Sequence, residues 1–246
     1  QAVNIDNNCK IEPKKSSAPL NNTRGDYKLK QALAQWREAF TIADAQAHRP
    51  GIFTVAELAV GGCLSALSSI RCGFRHVWTT ETDAHKQELA ESLTRAPCLG
   101  DTFSHNYRQV RAKYGHVSYL KSGQPCTDFS SPGPHTGRGA ACTTGWMYTA
   151  QGDCILDLEP DAVCIEQVAH IMNVDKSAVT DLITQLESKY YVHSAVVNCW
   201  VYGDVSNRER LIIVALHKKF GVMAEDYGIP HGDFHAGHAP QAWMVA

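Results

Sequence analysis

The 246-residue chain predicts an α/β domain built on a mostly parallel β-sheet, with an antiparallel strand near its C-terminus. Three observations carry this reading. Short apolar runs alternate with stretches whose apolar residues recur every three or four positions, the pattern of strand and helix in turn. Hydrophobic residues make up 44% of the chain and charged residues 20%, the balance of a globular domain rather than a disordered, collagenous or coiled-coil one. The last two strand runs are separated only by a turn-rich stretch near 202–207, too short for a helical crossover, so they should pair antiparallel.

Taken in order, residues 1–27 are polar, with Asn4, Asn7, Asn8, Lys14, Lys15 and Pro19, and read as a flexible leader. Residues 28–50 read as an N-terminal helix: Leu29, Ala32, Leu33, Trp36, Ala39, Phe40 and Ala43 share one face, and Arg49-Pro50-Gly51 stops it. The core domain is expected over 51–220. Its strands fall at 53–60, 75–79, 117–120, 161–165, 191–197 and 210–216, with helices near 64–71, 84–93 and 178–189. Residues 221–246 read as a flexible tail or the start of a further region. Glycines separate His231, His235 and His238 there, so no metal site is expected.

A net charge of −2 excludes a broadly basic surface, so any groove for nucleic acid must be local. The longest apolar run, 211–216, is about a third of a membrane span, and no membrane partner is expected. Nine cysteines without a C-x-x-C, and no signal-peptide pattern, point to a soluble intracellular protein with reduced thiols. The start at Gln1 rather than Met suggests a fragment or a processed product.

In open α/β sheets ligands bind at the carboxyl ends of the strands. The first such loop, Ala59-Val60-Gly61-Gly62-Cys63, lets backbone approach a ligand closely, although a tight turn would need the glycines too. Glu81 ends the next strand, 20 residues after Gly61, and suits the hydroxyls of a ribose. Asp101 after Gly100 closes the following loop in the same way. Together they suggest an adenosine-containing cofactor. The plainer readings are a solvated acid near a helix start for Glu81 and a turn residue for Asp101.

The fourth loop holds Pro125-Cys126 followed by a Gly/Ser/Pro-rich stretch, which presents a thiol in a stiff turn. A thiolate adds to an electron-poor ring and can later leave, given nearby positive charge. Cys72, Cys164 and Cys199 read instead as small buried hydrophobes. Glu166 follows four apolar residues, where burial would let it hold a proton at neutral pH. Arg208 and Arg210 share one face of an extended segment, either as a paired guanidinium clamp or as a solvated charge run.

The order and spacing of these motifs over about 53–216 resemble the cytosine-5 DNA methyltransferases. The resemblance rests on the glycine loop, Glu81-Thr82-Asp83, Gly100-Asp101, Pro125-Cys126 with Phe129-Ser130, Glu166-Gln167-Val168, and Arg208-Glu209-Arg210 before an apolar strand. It implies a Rossmann-like sheet that binds S-adenosyl-L-methionine, and DNA as partner, with the target cytosine flipped out of the duplex. Cys126 would add to C6, Glu166 would protonate N3, and Arg208 and Arg210 would hold the base and steady the charges. Ala59, Gly61, Gly62, Glu81, Asp101 and Pro125 would contact the cofactor. The family pattern has Phe-x-Gly-x-Gly where this chain has Ala59-Val60-Gly61-Gly62-Cys63, Gln where it has Thr127 and Ser206, and Asn where it has Gln167. The resemblance implies a nuclear location if the source is eukaryotic. An impaired binding or regulatory module, and an RNA cytosine-5 methyltransferase of the same fold, are the alternatives. The target-recognition domain and closing segment of the family are not matched, and the helix at 29–43 is a candidate to fill the vacant place beside the sheet.

Overall fold

The computed structural model describes residues 53–199 and 207–221. Six strands form one sheet: β1 Thr54–Leu58, β2 Arg75–Thr79, β3 Tyr119–Ser122, β4 Ala162–Val168, β5 Tyr190–Asn198 and β6 Glu209–His217. Their order is β2-β1-β3-β4-β6-β5. The first four run parallel, and β6 is antiparallel to both its neighbours. The expected mixed sheet is therefore found, with its antiparallel strand where the short connection required one. The chain adds β2 on one side of β1 and then crosses to add β3 on the other. That reversal leaves a crevice outside the carboxyl ends of β1 and β3, the place where this architecture receives ligands.

Among the described residues six α-helices accompany the strands: α1 Leu64–Arg71, α2 Ala84–Thr94, α3 Tyr107–Tyr114, α4 Gly145–Leu158, α5 Ile171–Val174 and α6 Lys176–Leu186. The main core joins α3, α4 and α6 to the sheet through Val110, Tyr148, Ile155, Leu182 and Leu186 against Leu58, Leu120, Val163, Ile165 and Ile213. Each such side chain contributes about 1.5–3 kcal/mol by leaving water. Ala66 of α1 and Ala90 of α2 meet Val60 and Cys63 in a smaller cluster. Side-chain caps set several helix starts: Asp83 accepts from the Lys86 N–H at 3.1 Å, Asn106 from Gln109 at 3.1 Å and Asp175 from Ala178 at 3.0 Å.

Three features differ from expectation. Helices α3 and α4 were not anticipated: α3 buries only Tyr107 and Val110, and α4 has glycines at 145 and 152 with buried residues around most of its surface, which hides the helical period. Strand β4 runs on to Val168, so Glu166 lies within the strand rather than beyond it. Cys72 is exposed at the end of α1, and Cys164 and Cys199 are only half-buried, whereas Cys63 and Cys154 are the buried thiols. Cys72 faces water because it follows the last turn of its helix.

The leader at 1–27, the helix at 28–50, Ser206 and the three tail histidines lie outside the described residues. Among the described residues no helix is long and apolar enough to cross a membrane.

Candidate active site

The loops at the carboxyl edge are stitched to one another. The Ala59 N–H donates to Thr80 Oγ1 at 3.0 Å, and the Glu81 N–H donates to the Gly100 carbonyl at 2.9 Å. The Glu81 carboxylate accepts from the Gly61 N–H at 2.9 Å through Oε2, and from the Thr82 and Asp83 N–H groups at 2.8 and 3.1 Å through Oε1. Backbone conformation explains the first loop: Ala59, Gly61 and Cys63 have φ values of 52°, 56° and 63°, in the left-handed region. Ala59 occupies this conformation although it carries a Cβ.

A cavity of about 440 Å³ opens at the β1/β3 crevice, lined by Ala59, Gly61, Gly62, Gly123, Glu166 and Arg208 among others. Its wall contains a group that the sequence reading passed over. Glu57, 1% exposed in the middle of β1, lies 3.0 Å from His76 Nε2 and accepts from the hydroxyls of Ser65 and Ser69. Burial pushes its pKa up, but the His76 hydrogen bond, the Lys121 charge and Ser65 outweigh that, holding the carboxyl below its usual range. An acid flanked by Ala56 and Leu58 in an apolar run was the available signal.

A second cavity, of about 840 Å³, is lined by Cys126, Ser130, His170, Asn173, Arg208 and Arg210 among others. Cys126 is half-buried, and its carbonyl accepts from the N–H groups of Phe129 and Ser130 at 2.9 and 2.8 Å, closing the turn that presents the thiol. Burial pushes the Cys63 and Cys154 thiols up to about 11 and about 12, which leaves them poor nucleophiles at neutral pH.

Arg208 lines both cavities. Arg210 lines the cysteine cavity and places its Nε 2.6 Å from Glu166 Oε1, an ion pair whose angle falls short of a hydrogen bond. The burial expected for Glu166 is not found: its side chain is 44% exposed, and a guanidinium rather than an apolar wall stands against it. Behind the turn, Gln167 Nε2 donates to the Gln124 carbonyl at 3.4 Å, tying β4 to the residues preceding Pro125-Cys126.

The structure thus gathers Ala59, Gly61 and Gly62 with Glu166 and Arg208, and joins Cys126 to the same neighbourhood through the two arginines. Glu81 reaches it through Gly61. Asp101 and Pro125 are exposed and line neither cavity. The Asp101 carboxylate caps the short 3-10 helix Thr102–Ser104 by accepting from the Phe103 N–H at 3.1 Å.

The mostly parallel sheet, with its crevice at the β1/β3 reversal, is a fold found in solved methyltransferases. The crystal structure of the S. pombe Dnmt2 methyltransferase shares the fold, with a TM-score of 0.56 and 12% identity over 72% of this chain and 52% of that one. The chain belongs to the C-5 cytosine-specific DNA methylase family, whose model matches residues 53–240. It is 28% identical to the Type II methyltransferase M.HpaII of Haemophilus parainfluenzae over 199 residues, which is 79% of this chain and 51% of that protein. The Type II methylase M.HgiDII of Herpetosiphon aurantiacus is 31% identical over 112 residues, 44% of this chain and 31% of its own length. The chain spans about half the length of M.HpaII.

Proposed function

We propose that this chain transfers a methyl group from S-adenosyl-L-methionine to C5 of cytosine in DNA, through a covalent adduct at Cys126. The observation that carries this reading is Arg210, which lines the cavity holding Cys126 while standing in an ion pair with Glu166, Nε to Oε1 2.6 Å. One guanidinium thereby links a nucleophile to an acid–base group.

The crevice fits the methyl donor. Its volume of about 440 Å³ falls in the range of small-molecule sites, and nothing stands within 4 Å of the place a Cβ would take at Gly62. Glu81 Oε2 accepts one N–H and keeps a lone pair for a ribose hydroxyl. When bound, the donor supplies an electrophilic methyl group on a sulfonium centre.

The remaining chemistry belongs to this chain. A cytosine stacked in a duplex is out of reach, so the base must turn out into the cavity of about 840 Å³. The Cys126 thiolate forms a bond to C6, and the electron pair of the C5–C6 double bond shifts toward N3. Glu166 takes up a proton from solvent as the base enters and delivers it to N3, so negative charge does not accumulate there. C5 is then electron-rich and takes the methyl group. The C5 proton passes to solvent water and the N3 proton returns to Glu166, so the C5–C6 double bond re-forms as the C6–S bond breaks and releases the thiolate. Arg208 and Arg210 hold positive charge beside both groups throughout.

The test is transfer of a labelled methyl group to cytosine-containing duplex DNA and to a matched RNA. 5-Methylcytosine in DNA supports the proposal. Label in RNA alone would replace the substrate, and no transfer at saturating donor would favour a binding module.

A further inference from the structure

Asp128 sits two residues after Cys126 and is fully buried. Its Oδ2 accepts from the N–H groups of Thr143, Thr144 and Gly145 at 3.0, 2.5 and 2.8 Å, which form the lead into α4 and its first residue. The hydroxyls of Thr143 and Thr144 donate to the same oxygen at 3.2 and 2.9 Å. Oδ1 accepts from the Thr136 hydroxyl, and the Asp128 carbonyl accepts from the Gly137 N–H at 3.2 Å. Burial opposes the charge, but these hydrogen bonds from Thr136, Thr144 and Gly145 hold the carboxyl well below the usual carboxylate range.

Asp128 therefore fastens three stretches of chain: its carboxylate ties the Cys126 turn to Thr136 and to the start of α4, and its carbonyl takes the Gly137 N–H. The fit is close. A Cβ at Gly145 would lie 1.8 Å from the Gly137 carbonyl oxygen. The next residue, Phe129, is fully buried and meets Tyr148 of α4 with ring centroids 5.9 Å apart, so the turn is held on both sides of the Asp128 side chain. None of these residues lines the glycine crevice.

We infer that Asp128 is a positioning residue of the methyl-transfer centre, which fixes the turn carrying Cys126 so that the thiol faces the base cavity before DNA arrives. The inference rests on Cys126 being the nucleophile. Misplacing a reacting group by about 1 Å can slow chemistry by about 10²-fold. The carboxylate acts through backbone and does not meet the substrate.

The experiment compares wild type, Asp128→Ala, Asp128→Asn and Gly145→Ala in the full chain. It reads the single-turnover rate of adduct formation with a 5-fluorocytosine duplex, the KM for DNA, and the affinity for S-adenosylhomocysteine. Asp128→Ala should slow adduct formation by about 10²-fold per folded molecule, with KM and S-adenosylhomocysteine affinity within about twofold. Asp128→Asn keeps a carbonyl oxygen for the α4 N–H groups and should restore at least a tenth of the wild-type rate. Gly145→Ala leaves Asp128 intact but pushes residue 137 away, and should reproduce the slow chemistry even if Asp128→Ala does not fold. Wild-type rates in folded Asp128→Ala or in Gly145→Ala would overturn the inference alone. Absence of any adduct in wild type would overturn the proposed reaction and this inference with it.

Discussion

Arg210 and Glu166 form a diagonal pair across two antiparallel strands. The register sets Arg210 opposite Val168 and Ile212 opposite Glu166, and the long guanidinium spans the two-residue offset to reach Oε1 at 2.6 Å. Arg210 keeps 17% of its side-chain surface exposed and Glu166 keeps 44%; Arg210 lines the cysteine cavity and Glu166 the glycine crevice, so the pair stands between the two. Replacing Arg210 by Met should lower the single-turnover methylation rate by about 10²–10³-fold. Because the two side chains act as a unit, Glu166→Gln combined with Arg210→Met should be far less damaging than the product of the single effects. Single-turnover kinetics at saturating DNA and donor check both outcomes, and multiplicative losses would show that the pair is not coupled.

Ala59 occupies the left-handed region with φ of 52°, which costs an L-residue about 1–2 kcal/mol. Ala59→Gly should relieve most of this and raise the thermal midpoint by about 2–4 °C, provided the loop keeps its present backbone. Differential scanning calorimetry decides it, and an unchanged or lower midpoint would mean that the loop is not strained.

The Glu57 carboxyl is held below its usual range in the interior, with His76 3.0 Å away and Lys121 nearby. Glu57→Ala should destabilise the domain by about 3–5 kcal/mol, because it strips the buried partners of their acceptor. The double replacement Glu57→Leu with His76→Phe should recover much of that loss, since a buried polar pair often exchanges for packed apolar groups at little cost. Urea denaturation measures both variants.

Asp175 caps α6 and is held by Arg138 Nε at 3.0 Å. Burial raises its pKa, but the hydrogen bonds from Arg138, Ser177 and Ala178 prevail and bring it down to about 2. In the unfolded chain the same carboxyl titrates near 4. The folded value is the lower one, so this stabilisation is fully present above about pH 4 and is lost as pH falls toward 2. Urea midpoints should drop between pH 4 and 3 in wild type and drop less in Asp175→Asn. Parallel curves for the two proteins would contradict the assignment.

The strands and the glycine loop were legible in the sequence because each is written locally. Residues 64–71 and 75–79 were read with the bounds that α1 and β2 have. The register that lets Arg210 reach Glu166 is a tertiary fact, although the two-residue alternation already put Arg208 and Arg210 on one face. Helix α4 escaped notice because it is buried around most of its surface, and α3 because it buries little. Glu57 and Asp128 were missed for a related reason: each resembles an ordinary acid until the fold surrounds it with donors from residues eight to nineteen positions away. Asp101 also makes a local cap through Oδ1, a contact that its place after Gly100 does not announce.

The central claim is that Cys126 bonds to a cytosine ring held beside Arg210 and Glu166. The most direct measurement is mass spectrometry of the chain incubated with S-adenosyl-L-methionine and a duplex containing 5-fluorocytosine, which blocks loss of the C5 substituent and traps the adduct. The account predicts a protein–DNA conjugate whose modified peptide contains Cys126, and no conjugate in Cys126→Ala. A conjugate on another residue, or one that survives Cys126→Ala, would contradict it.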